Sequence, residues 1–271
     1  MIQRHSKLSI FLHWFNAVCW LFLLATGIGL IKNPDLQPVG MWWANMMWGL
    51  FGGGPNLLLA HEICGLVWAG VFILYGIFGI KHVVRFFREI FSYAPVRDFM
   101  WLVKKGTQMT LGPRALESLG AFLEKRGANP YVSEPKVPDQ GFYNVGQKLF
   151  AVPSVMGGII IGLTGIIMML STIYLTNTAL VRWSILIHFI TVGVVFAGLL
   201  IHIYMASIAS GERPAFLSMF TGKVPEQYAK HHHRLWYEEV KLNGFEDSAV
   251  LTDGLEESRS VFGILRDTST S

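Results

Sequence analysis

The chain has 271 residues, is 52% hydrophobic and only 15% charged, with a mean hydropathy of +0.43. Soluble domains carry roughly 25% charged residues and disordered chains need low hydrophobicity with high charge, so neither class fits. Two cysteines, Cys19 and Cys64, both lie inside apolar runs, which excludes a disulfide scaffold, and the net charge of +4 acquires meaning only once it is placed on one side of a membrane.

Four stretches reach the roughly 20 apolar residues that a helix needs to cross hydrocarbon: 8–31, 57–80, 149–175 and 183–206. The first has no small-residue cleavage pattern at its end and reads as a retained helix, not a signal peptide. Residues 38–56 are apolar and aromatic but too short to span, as expected of a segment at the interface, where Trp is favoured. Residues 82–143 read as an amphipathic helix, a stretch punctuated by Gly112-Pro113 and Asn129-Pro130, and an extended return. In the third span Pro153 falls near the start, where a helix tolerates it, and Gly158, Gly162 and Gly165 offer a small-residue packing face. The expected architecture is an all-α membrane protein, with a four-helix domain over 1–240 and a polar, mobile tail over 241–271.

Basic residues decide orientation. Arg4 and Lys7 precede the first span, and the connection 81–148 carries eleven Lys and Arg. Arg213, Lys223, Lys230, Arg234 and Lys241 follow the last span, whereas Lys32 and Arg182 stand alone on the other side. Both termini and the long connection are therefore expected in the cytoplasm.

Four histidines, His13, His61, His188 and His202, lie within the spans. An ionisable side chain at membrane depth marks a functional site by default. His188 and His202 are fourteen residues apart, which is about 21 Å of rise and a net rotation of about −40° on one helix, so they share a face. With the fourth helix entering from outside, His188 is outer and His202 inner. By the same topology His13 is inner and His61 outer. Two pairs follow, His13 with His202 and His61 with His188, and each can hold one haem b iron from both axial positions within a four-helix bundle. Two such centres stacked across the bilayer conduct electrons. Arg182, six residues before His188 or about 9 Å along the helix, is a candidate partner for a propionate of the outer haem. His5 and His82 rate low as ligands. Adjacent His231, His232 and His233 point in different directions on a helix and suit an interfacial face better than a metal. No haem c attachment motif or zinc-ligand spacing occurs.

The chain resembles the cytochrome b (gamma) subunit of membrane-bound formate dehydrogenases. The resemblance is carried by Leu12-His13-Trp14, by His61, by the run from Tyr143 to Lys148, by Val181 to His188, by Leu200 to Ala206, by Gly222-Lys223-Val224 and by Ala229 to Tyr237. It covers about residues 5–240. It implies a multi-pass subunit of the bacterial cytoplasmic (inner) membrane that does not itself act on formate. Such subunits take electrons from an iron–sulfur subunit at the outer face, fed by a molybdenum or tungsten catalytic subunit, and pass them through two haems b to menaquinone near the inner face. The implied partners are those two subunits, the quinone and membrane lipid, with no nucleic acid. By resemblance the quinone lies against His202 with Asn144, Gly146 and Gln147. Amide donors on a Gly-opened backbone suit a carbonyl that gains electrons, although Asn144–Lys148 also reads as a helix start with an Asn cap and an interfacial lysine. The 106–140 stretch, the Trp-rich first connection and the tail depart from the family pattern. Two other readings compete. One is the cytochrome b subunit of a nickel–iron hydrogenase or a thiosulfate-type reductase. The other is a transporter relaying protons or metal, which the single intramembrane acid, Glu62, disfavours.

Overall fold

The computed structural model describes residues 1–171, 177–209 and 211–243. They fall into two compact units: one of His5–Val83 with Pro153–Gly222, the other of Met1–Arg4, Val84–Val152 and the chain from Lys223.

The first unit contains the membrane-crossing helices. Helix α1 (Lys7–Leu30) starts at Ser6, whose Oγ accepts from Ser9 N at 3.0 Å, satisfying one of the donors a helix start leaves unpaired. At its other end Gln37 Nε2 donates to the carbonyls of Ile28 and Ile31 at 2.8 and 2.9 Å, and Trp43 Nε1 donates to Ala25 O at 3.0 Å. These bonds fasten the short helix α2 (Met41–Phe51) to α1. At eleven residues α2 is too short to span. Gly52, at φ 71°, caps it, and Gly53, at φ 127°, turns the chain into α3 (Gly54–Phe78). Both glycines occupy backbone conformations that residues with a Cβ rarely adopt.

Helix α8 (Val145–Ser171) and helix α9 (Thr178–Ile203) complete a set of four helices long and apolar enough to cross a membrane. Asn177 caps α9, accepting from Leu180 N at 3.1 Å. That cap explains why α9 begins at Thr178, upstream of the apolar run that marks it in the sequence. The helix runs on into a π turn, Tyr204–Ile208, and α10 (Arg213–Thr221) follows. Trp14 Nε1 ties α1 to α10 by donating to Met219 O at 2.7 Å. Gly157 lets α8 approach α9: a Cβ there would stand 2.4 Å from Val195 Cγ2. Large apolar side chains cover the outside of these helices, Phe78 at 84% and Ile77 at 62% exposure, an inside-out distribution suited to hydrocarbon. Residues 172–175 of the third expected span, and nearly all of the expected tail, lie outside the described residues.

The second unit is built from shorter helices. Helix α4 (Ile80–Phe91) enters it at Val84 and is followed by α5 (Pro95–Leu111), α6 (Pro113–Lys125), α7 (Pro130–Ser133), α11 (Glu226–His232) and α12 (Arg234–Asn243). A two-residue antiparallel ladder pairs β1 (Ile2–Gln3) with β2 (Lys223–Val224), Ile2 opposite Val224. The stretch expected to be irregular around Gly112-Pro113 is a joint between two helices. Gly112 at φ 87° ends α5 and Pro113 opens α6, since proline needs no N–H donor at a helix start. Arg4 is buried between the rings of Phe142 and Trp236, 5.2 and 5.4 Å away, and its Nη2 donates to Phe142 O at 2.9 Å. His233 Nδ1 bonds Gly141 O at 2.8 Å and His232 stacks on Tyr228. His232 and His233 thus serve different contacts, while His231 is exposed. Lys148 is buried, not interfacial: its Nζ donates to Ser92 O at 2.5 Å and stands 4.0 Å from the Asp98 carboxylate.

Candidate functional site

His61 lies two turns into α3 and meets α1 through Thr26: the His61 Nδ1 and Thr26 Oγ1 are 2.8 Å apart. Thr26 Oγ1 also sits 2.8 Å from Phe22 O and 3.2 Å from Leu23 O of its own helix. Gly27, next in sequence, leaves room for the ring, since a Cβ there would stand 3.3 Å from His61 Cε1.

The same arrangement recurs on the other pair of helices. His188 of α9 meets Thr164 of α8, Nδ1 to Oγ1 at 3.1 Å, while Thr164 Oγ1 sits 2.7 Å from Ile160 O and 3.1 Å from Ile161 O. Gly165 follows Thr164, and a Cβ there would stand 3.6 Å from His188 Cε1. Sequence reasoning missed both threonines. The available signal was depth: Thr26 is thirteen residues beyond His13, about 20 Å, which puts it at the level of the other histidine layer.

The structure brings the four histidines together in two pairs. His61 and His188 lie within electrostatic range of each other, and so do His13 and His202. The His13 ring packs edge-on against Trp14 at 5.3 Å. Between the layers stands Trp68, seven residues from His61, about 10 Å along α3 and on the same face. Its Nε1 donates to Asn16 Oδ1 at 2.8 Å, and its ring lies against Gly158 and Gly162 of α8. Two of the glycines in the expected packing face therefore receive a tryptophan and the third, Gly165, a histidine. Arg182 is exposed near the start of α9. Cys19 and Cys64, both free thiols, make contact between α1 and α3.

Asn144 and Gln147 belong to the second unit and form a reciprocal cap at the start of α8. Asn144 Oδ1 accepts from Gln147 N at 2.9 Å, and Gln147 Oε1 accepts from Asn144 N at 3.0 Å. Both amides use their oxygens here, which leaves their NH2 groups as donors. Gly146 between them is exposed.

The donor set fits haem. Among the described residues no three His, Cys, Asp or Glu side chains gather around a bare ion, whereas paired imidazoles suit an iron whose other four ligands come with the porphyrin. With Nδ1 of His61 and His188 facing a threonine hydroxyl, Nε2 is the nitrogen that such an iron would use.

The family model for prokaryotic cytochrome b561 matches residues 4–222. The chain is 37% identical over 246 residues to the nitrate-inducible formate dehydrogenase cytochrome b556(Fdn) subunit of Escherichia coli K12, covering 89% of this chain and 92% of that one. It is 25% identical over 251 residues to the formate dehydrogenase cytochrome b556 subunit of Haemophilus influenzae, covering 92% and 87%. A third relative, the cytochrome b556(fdo) subunit of Escherichia coli K12, is 23% identical over 242 residues, covering 89% and 93%. An integral membrane bundle with paired intramembrane histidines, matched by these proteins along most of its length, belongs to the prokaryotic cytochrome b561 family, among the cytochrome b subunits of formate dehydrogenases.

Proposed function

We propose that this chain conducts electrons through two haems b, one held by His61 and His188 and one by His13 and His202, and delivers them to menaquinone at Asn144, Gly146 and Gln147. The observation that carries the reading is the pairing of four intramembrane histidines in two layers, spaced by the fourteen residues between His188 and His202, about 21 Å. Haem b, when bound, supplies the one-electron couple that the polypeptide lacks. The protein's part is to bind and orient. The neutral imidazoles of the four histidines would hold the iron, the bundle would keep water away from them, and the amide NH2 groups of Asn144 and Gln147 would donate to a quinone oxygen as it takes up charge.

The basic residues of 81–148 and of both ends favour a cytoplasmic position for these segments in the bacterial inner membrane. His61 and His188 then form the outer layer. Electrons enter there from an iron–sulfur subunit served by a molybdenum or tungsten catalytic subunit, which the names of the relatives support for formate as the electron source. Reduction of the quinone takes two electrons from outside and two protons from the cytoplasm, so turnover separates charge. The test is haem content and reduced-minus-oxidised spectra of membranes carrying the whole complex. His61→Ala or His188→Ala should remove one haem and leave the other, and His13→Ala or His202→Ala should do the reverse. Full haem content in any one variant refutes that ligand.

A further inference from the structure

Both outer-layer histidines are held in one and the same way by helices far apart in the sequence. Thr26 and Thr164 each carry a single hydroxyl hydrogen. For Thr26 that hydrogen is directed at Phe22 O, 2.8 Å away, and for Thr164 at Ile160 O, 2.7 Å away. Each hydroxyl oxygen then has only lone pairs to offer the imidazole, so the Nδ1 facing it must be the donor. Gly27 and Gly165 let each ring close on this pocket, because a side chain there would begin 3.3 or 3.6 Å from Cε1.

We propose that Thr26 and Thr164 are positioning residues that fix the tautomer of His61 and His188, so that each ring carries its proton on Nδ1 and presents a bare Nε2 lone pair to the iron. The proposal rests on the bis-histidine reading above and deepens it. The Thr-Gly dipeptide is the device, used once on α1 and once on α8. Donation from Nδ1–H to a hydroxyl raises the basicity of Nε2 and so favours the ferric state of the iron it binds. Loss of the acceptor should therefore raise the midpoint potential of the outer haem.

The experiment is a redox titration, with haem content and low-spin EPR, of the complete complex carrying Thr26→Val, Thr164→Val, or Ser at either position. Valine keeps the shape and removes the acceptor, whereas serine keeps the hydroxyl. One hydrogen bond corresponds to about a fivefold change in the ferric–ferrous equilibrium, or about 40 mV at 59 mV per decade. Each valine variant should show this upward shift in the outer haem, with the inner haem unmoved and the serine variants near wild type. Loss of the outer haem with valine and its retention with serine would support the same role, since only the hydroxyl differs. Valine variants with full haem and an unmoved outer potential overturn the proposal, as do serine variants that shift as far as valine. A wild-type complex without two haems refutes the underlying reading, and this inference with it, by a different observation.

Discussion

The amides at the start of α8 do two jobs in the proposed function, and the structure shows how to separate them. Asn144 and Gln147 cap each other through their oxygens, at 2.9 and 3.0 Å, while the quinone role needs their NH2 groups. Asn144→Ala deletes both functions. Losing the cap should cost about 1 kcal/mol of stability, and losing the donor should slow quinone reduction about 100-fold, or about 2.7 kcal/mol of barrier. Asn144→Asp keeps an oxygen for Gln147 N and adds negative charge where a helix start favours it, but carries no NH2. Gln147→Glu does the same at the other half of the cap. The acidic variants should therefore match wild type in thermal stability and yet fall with the alanine variants in rate. The assay is re-oxidation of pre-reduced haem by a menaquinone analogue in membranes of equal haem content, with reduction by the electron donor measured alongside. Donor-side reduction should stay normal throughout. Wild-type re-oxidation in Asn144→Asp and Gln147→Glu would show that the amide donors play no part and that the segment is a helix start alone.

Gly157→Ala should destabilise the membrane unit by roughly 1–3 kcal/mol, as overpacking does, because its Cβ would meet Val195 Cγ2 at 2.4 Å. Val195→Ala should restore stability in the double variant, and equal melting temperatures for Gly157→Ala and wild type would contradict the contact. Burial holds the Lys104 ammonium below the usual lysine value of 10.5, with Glu134 opposing the shift, while its Nζ donates to Glu134 O at 2.7 Å. The folded state thus binds the proton less tightly than the unfolded one, so wild type should gain stability relative to Lys104→Met as pH rises towards 10.5. Parallel pH profiles for the two would count against this. Arg182→Gln should shift the potential of the outer haem and leave the inner one unchanged if the guanidinium pairs with a propionate; an unmoved outer potential in redox titration leaves Arg182 as an interfacial anchor.

The helices that cross the membrane are legible in the chain because hydrocarbon admits few solutions: about 20 apolar residues must form a helix there. Hence 8–31 and 57–80 correspond closely to Lys7–Leu30 and Gly54–Phe78. Helix starts were less legible. Asn177 begins α9 upstream of its apolar run, since a cap is a local hydrogen bond that hydropathy does not register, whereas Asn144 was readable in the sequence as the cap of α8. The spacing of His188 and His202 on one face follows from helical periodicity alone. What surrounds each imidazole does not. Thr26 meets His61 across 35 residues and Thr164 meets His188 across 24, and Asn16 holds Trp68 across 52. In a segment read by itself, an intramembrane threonine that bonds its own helix carbonyl is an unremarked polar residue. Only the packing of α1 on α3 and of α8 on α9 turns its oxygen towards a histidine. Burial of Lys148 beside Asp98 was hidden for the same reason: a lysine near the end of a span reads as interfacial until the chain folds a carboxylate and the Ser92 carbonyl around it. Composition and periodicity determined which segments cross the membrane and which residues share a helical face. Contacts between segments distant in sequence decided which polar atoms meet, because those depend on how the helices pack and not on any one helix.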